Sequence, residues 1–188
     1  MQLAYKGFDL DLSCTSGGNR FQYVLDTWNE EPEANCRQNG FHCAENPLDC
    51  LTYYPQWEKA VYYLVAAGGD IDEDGSDSKI SCTRLRLIKR LTLEEFVAHS
   101  LNYIWNHPER KDNGHVCRES GIASHGFVIV RGKEPVAVGR IGDVLGLVKE
   151  SKGSRRPMEM GIHVVDGKEI LPDVWYDVRG KARKGAVA

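Results

Sequence analysis

The segment 40–54, GFHCAENPLDCLTYY, brings together side chains whose types suit ligand binding or catalysis. His42 and Cys43 lead into a turn, and Tyr53 follows on the other side of it. An imidazole beside a turn can transfer protons or hold a ligand, although a hydrogen bond to a turn carbonyl is the commoner role. The spacing therefore marks His42 as a candidate site residue and leaves both interpretations open.

A short helix is expected to position these side chains. Asn46 suits the N-cap, Pro47 fits the first helical position, and Asp49 complements the helix dipole. Pro55 must end the helix, because proline cannot continue it. The order is therefore a strand, a tight turn and a short helix over 47–54. The free N–H groups at the start of such a helix suit a phosphate or a carboxylate.

The clearest helix predicted by the sequence covers Leu93–Asn106. Thr92 and Glu95 form a capping-box pattern at its start. Its apolar residues recur on one stripe, which predicts that the helix packs on a sheet and buries Phe96, Val97, Leu101 and Trp105.

Alternating and β-branched runs predict strands, and a further short helix is expected at 30–38. The predicted strands are at 2–8, 20–25, 60–67 and 79–91. The sequence thus predicts an α+β fold, with a mixed or split sheet, one long packed helix and short helices. This domain is expected to span 1–112, with a small β-rich C-terminal extension over 113–188.

Two segments of the sequence partly match the patterns of metal-binding sites. Cys36, His42, Cys43 and Cys50 have ligand chemistry for zinc, but the sequence contains no paired CxxC spacing. The acidic run 70–75 opens like a calcium loop but lacks the glutamate that closes one. We therefore expect no bound metal, and six cysteines that remain reduced thiols.

Composition and charge favour a cytoplasmic protein. No apolar run is long enough to cross a membrane, and the N-terminus lacks the pattern of a signal peptide. Residues 1–114 carry 18 acidic and 11 basic side chains, so nucleic-acid binding is not expected there.

Three segments resemble an uncharacterised domain family encoded mainly by bacteriophages and prophages. They are YKGF at 5–8, GFHCAENPLDCLTYYP at 40–55 and DSKISCTRLRLIKRLTLEEF at 77–96. The closing stretch 165–181 is also similar to the tail of those proteins. This resemblance implies a phage or prophage setting, and therefore the cytoplasm of a bacterial host, without implying an activity.

A more remote resemblance is to ADP-ribosyltransferase-like domains. The segments 5–7 (YKG) and 40–42 (GFH), with Ala44 and Tyr53 downstream, look like the first two motifs of that family. In the family these motifs hold the nicotinamide mononucleotide half of NAD, and a third motif supplies a catalytic glutamate. The corresponding strand here, 79–91, contains no glutamate.

The function predicted from these observations is that of a phage-encoded accessory protein. It would bind a host protein or a nucleotide-type ligand, as an antagonist of host defence, and would need no cofactor. The alternatives are an ADP-ribosyltransferase-like enzyme that uses NAD, and a minor structural component of the virion. The predicted ligand-binding residues are Tyr5, His42 and Tyr53 in one concavity, with Lys6 near its rim.

Overall fold

The computed structural model of the protein describes residues 1–16, 19–35, 38–73 and 78–184. Strands make up 51% of the structure and helices 13%, with one α-helix in the described ranges. The α+β class predicted from the sequence is therefore wrong, and the protein is mostly β. A helix is recognisable from local sequence signals, whereas strand pairing joins residues far apart in the chain. A prediction from the sequence therefore overestimates the share of helix in the fold.

Contacts divide the chain into two compact units, the first ending at Leu91 and the second beginning at Thr92. The boundary predicted from the sequence lies after residue 112 instead. The difference arises because the predicted helix packs against strands that follow it in the chain.

In its described residues, the first unit contains seven strands and two short 3-10 helices. The helices are η1 (Pro47–Thr52) and η2 (Trp57–Lys59). The strands are β1 (Gln2–Asp9), β2 (Ser13–Ser16), β3 (Asn19–Gln22), β4 (Asn29–Glu30), β5 (Phe41–Ala44), β6 (Ala60–Glu73) and β7 (Lys79–Arg90). The expected helix at 30–38 is wrong over its described part, because Glu30 belongs to β4 and Asn35 forms a β-bridge with Asn39, while residues 36 and 37 lie outside the described ranges.

Four strands of the first unit form a closed, barrel-like circuit. The long strand β6 pairs antiparallel with both β1 and β7. Strand β7 pairs with β5, and β5 returns to β1 through the single pair Tyr5 and Ala44. Alternate side chains point into this circuit and form its core, in which the larger members are Phe8, Tyr23, Phe41, Tyr63, Val65, Ile80, Leu85 and Leu87.

The second unit begins with the helix α1 (Leu93–Asn106) and continues, as far as residue 184, with six strands. The strands are β8 (Val116–Ile122), β9 (Phe127–Val138), β10 (Val144–Glu150), β11 (Pro157–Val164), β12 (Trp175–Asp177) and β13 (Ala182–Arg183). The sheet order is β11, β10, β9, β12 and β13, and β8 pairs with β9. The strands β8, β9 and β10 run parallel, unlike those of the first unit.

The predicted bounds and the capping box of α1 are confirmed. The Thr92 hydroxyl accepts from the backbone N–H of Glu95, whose carboxylate accepts from the backbone N–H of Thr92. The helix packs on β9, β10 and β11 and buries Phe96, Val97 and Leu101. Trp105 is 38% exposed in the last turn, so its predicted burial is wrong.

Candidate functional site

The four predicted site residues, Tyr5, Lys6, His42 and Tyr53, line one cavity in the first unit. Its volume is about 790 Å³, within the range of roughly 300–1,000 Å³ typical of small-molecule sites. Other residues in its wall come from β1, β2, β5, η1 and β7 and from the chain just after β3 and η1. They include Asp9, Cys14, Tyr23, Cys43, Asp49, Cys50, Tyr54 and Lys79.

The cavity forms where β1 and β5 separate. The two strands pair only between Tyr5 and Ala44, so their remaining residues leave a gap in the circuit. Tyr54 packs over β1 beside this gap, where a Cβ atom at Gly7 would lie 2.6 Å from Cδ2 of the Tyr54 ring. A glycine is therefore needed at position 7, because any larger residue would displace the aromatic wall.

The start of η1 has the predicted cap, and its backbone N–H donors bind groups of the protein itself. The side-chain oxygen of Asn46 accepts from the Leu48 backbone N–H at 3.1 Å, and the backbone carbonyl of Asn46 accepts from the Asp49 backbone N–H at 3.1 Å. The Asp49 carboxylate in turn accepts from the Ser78 hydroxyl at 2.5 Å. The backbone N–H groups of Leu48 and Asp49, which the sequence suggested as phosphate ligands, therefore donate to Asn46.

Lys6 lies in the interior and not near the rim. Along β1 the residues Ala4, Lys6 and Phe8 are all buried, and Lys6 is 7% exposed. Its ammonium donates to the His42 backbone carbonyl at 2.7 Å and so links the two strands across the gap. The expectation that Lys6 lies near the rim is therefore wrong, because the strand alternation turns this side chain inward.

Tyr53 and Lys79 meet at the exposed side of the cavity. Tyr53 is 57% exposed, and its hydroxyl accepts from the Lys79 ammonium at 3.0 Å. The same ammonium lies 4.4 Å from the centroid of the Tyr53 ring, in cation–π contact. The sequence does not identify Lys79 as a residue of the cavity, because only the pairing of β5 with β7 places it opposite Ala44.

The imidazole of His42, the thiol of Cys50 and the phenols of Tyr5 and Tyr54 are held in their neutral forms at neutral pH. Burial, followed by the charges of Lys79 and Lys6, lowers the pKa of His42 to about 4. Burial raises the pKa of the Cys50 thiol to about 12 and raises the pKa values of Tyr5 and Tyr54 above their usual range. A neutral imidazole, thiol and phenols suit hydrogen bonding and stacking better than nucleophilic attack.

Metal ligation has no support in the described residues. They contain no group of three histidine, cysteine or acidic side chains placed to hold a metal ion. Cys36, one of the four candidate zinc ligands, and residues 74–77 of the candidate calcium loop lie outside these ranges. The described cysteines carry free thiols.

The buried imidazole makes a pH dependence of stability testable. Because folding lowers the pKa of His42 from its usual 6.5 to about 4, the unfolded chain binds the extra proton first as the pH falls. The His42 contribution is therefore complete above pH 6.5 and is lost progressively towards pH 4. Since His42 is only half-buried, we expect roughly 1–2 kcal/mol after solvent screening.

Urea denaturation at pH 7 and pH 5 measures this effect. We expect His42→Gln to reduce the loss of stability between the two pH values, whereas His125→Asn, a change at an exposed histidine, should leave it as in the wild type. An unchanged loss in His42→Gln would contradict the assignment.

The family comparison covers the part of the chain that contains this cavity. The family model described as a domain of unknown function, DUF7666, matches residues 2–99. The chain belongs to this family. The matched region includes every strand of the first unit and the first half of α1, whereas the closing stretch 165–181 lies outside it.

No curated protein and no solved structure matches the chain. The part of the chain that the structure describes contains no helix that is both long and apolar enough to cross a membrane.

Proposed function

We propose that the DUF7666 domain binds a nucleotide-type ligand in the cavity between β1 and β5. The observation that carries this proposal is the size of the cavity together with its aromatic wall of Tyr5, His42, Tyr53 and Tyr54. Aromatic side chains stack on any nucleobase, and each such contact contributes roughly 1–3 kcal/mol to binding. The protein then acts by binding.

The chemistry of the wall favours binding over catalysis. The thiol of Cys50 and the phenols of Tyr5 and Tyr54 stay protonated near neutral pH, and His42 stays neutral and only weakly basic. The acidic side chains in the described wall are those of Asp9 and Asp49, of which Asp49 is bonded to Ser78. No glutamate is among the described lining residues, so the wall offers no counterpart of an ADP-ribosyltransferase glutamate.

Calorimetric titration with AMP, cyclic AMP and NAD tests the proposal. We expect at least one of the three to bind the wild-type protein, and Tyr53→Ala to weaken that binding about tenfold or more, because it removes a stacking surface. Tyr53 is largely exposed, so this substitution should leave the fold intact. Trp105→Ala, which removes a partly exposed aromatic side chain from α1, is the matched control and should bind as the wild type does.

Two results would contradict the proposal: no binding of any of the three nucleotides, or equal affinities in the wild type and Tyr53→Ala. Incubation with NAD, followed by measurement of released nicotinamide, tests the ADP-ribosyltransferase alternative separately. The phage setting, a host-protein partner and a virion role stay predictions from the resemblance.

A further inference from the structure

The buried lysine of β1 carries a positive charge into the interior of the first unit. Lys6 shares the inward face of β1 with Ala4 and Phe8 and is 7% exposed. A lysine in a protein interior normally pairs with a carboxylate, because the loss of hydration of an ammonium group is costly.

Within the described residues, the contacts of the Lys6 ammonium are to neutral groups. It donates to the His42 carbonyl at 2.7 Å and lies 5.4 Å from the ring centroids of both Phe8 and Tyr23. A carbonyl dipole and two aromatic faces offset part of the cost of burial but do not neutralise a full charge. Among the described residues, no carboxylate is in ion-pair contact with Lys6.

Lys6 also belongs to the wall of the cavity, together with Lys79. The charges of both lysines reach His42, another residue of the wall, and help to lower its pKa. The Asp49 carboxylate is held by the hydroxyl and the backbone N–H of Ser78. The inner part of the cavity therefore offers a positive charge whose counter-ion the described residues do not supply.

We propose that the Lys6 ammonium is the counter-ion for the phosphate group of the ligand. This inference rests on the proposed function, since it assigns the orientation of a nucleotide in the same cavity. The phosphate lies at the inner end against Lys6, and the base lies towards the exposed Tyr53 ring. A charge-assisted hydrogen bond in a water-poor site is stronger than a neutral one, so the phosphate adds affinity there.

The test compares adenosine with AMP, which differ by the phosphate alone. At physiological salt the wild-type protein should bind AMP at least about tenfold more tightly than adenosine. In Lys6→Met, which keeps the length of the side chain without its charge, this preference should fall to about twofold or less while adenosine still binds. Lys59→Met, at an exposed lysine of η2 outside the cavity wall, should keep both affinities unchanged.

Lys79→Met separates the two lysines of the wall. We expect it to keep the preference for AMP, because Lys79 lies beside Tyr53 at the base end. Loss of the preference in Lys79→Met and its retention in Lys6→Met would place the phosphate at the exposed side and overturn the inference.

The wild-type comparison decides the inference even if Lys6→Met fails to fold. Equal affinities of the wild type for adenosine and AMP would overturn the role of Lys6 while leaving the proposed function in place. If neither adenosine nor any nucleotide binds, the proposed function fails, and the inference fails with it.

Discussion

Replacing Arg131 by Met is expected to lower the free energy of unfolding by roughly 3–5 kcal/mol, because it breaks a buried ion-pair network. The Arg131 side chain is 1% exposed on β9. Its guanidinium donates to Glu150 at 2.5 Å, to Asp112 at 2.9 Å and to the backbone carbonyls of Pro108 and Arg155. The substitution leaves all of these acceptors without that partner in a site from which water is largely excluded.

The ion-pair network stabilises the charged form of the Glu150 carboxylate, as its pKa indicates. Burial alone would raise the pKa of Glu150, but hydrogen bonds from Arg118 and Arg131 outweigh it and lower the pKa below the usual value. Arg118 also donates to both oxygens of this carboxylate, but its side chain is 47% exposed.

Arg118→Met is therefore the matched control for Arg131→Met. Both arginines bind the same carboxylate, but Arg131 is buried and also donates to Asp112 and to two backbone carbonyls. The comparison therefore separates the buried network from a partly exposed ion pair, and we expect a cost of about 1 kcal/mol for Arg118→Met. Urea denaturation monitored by circular dichroism gives both values. Equal costs would contradict the importance assigned to burial at Arg131.

Replacing Phe8 by Ala is expected to destabilise the first unit by roughly 3–5 kcal/mol, as is typical when a large aromatic side chain is removed from a core. Phe8 is fully buried and packs edge-on against Tyr23 and Tyr63, at centroid distances of 4.9 and 5.7 Å. Its ring also faces the Lys6 ammonium, so the substitution removes part of what stabilises that buried charge.

Leu3→Ala on the same strand is the control for Phe8→Ala. Leu3 is 58% exposed, and we expect a change in stability within about 0.5 kcal/mol. Thermal and urea denaturation of both variants check the prediction. A loss below about 1 kcal/mol for Phe8→Ala would show that the aromatic cluster can repack around the vacated space.

Local signals explain what the sequence predicted well. The capping box of Thr92 and Glu95 and the apolar stripe that follows define α1 at both ends, because a helix is held by hydrogen bonds between near neighbours. The Asn46 cap and Pro47 likewise located η1. The residue types of Tyr5, His42 and Tyr53 pointed to a common cavity, and the structure brings these three together there.

Pairing between distant segments decided what the sequence could not. The mostly β fold depends on β6 pairing with both β1 and β7, and the cavity depends on β1 and β5 meeting at a single residue pair. The sequence determined by itself the helix, the caps and the chemical types at the site. Only the tertiary structure decided that Lys6 is buried and that Lys79 joins Tyr53, because strand register is set by packing between residues far apart in the chain.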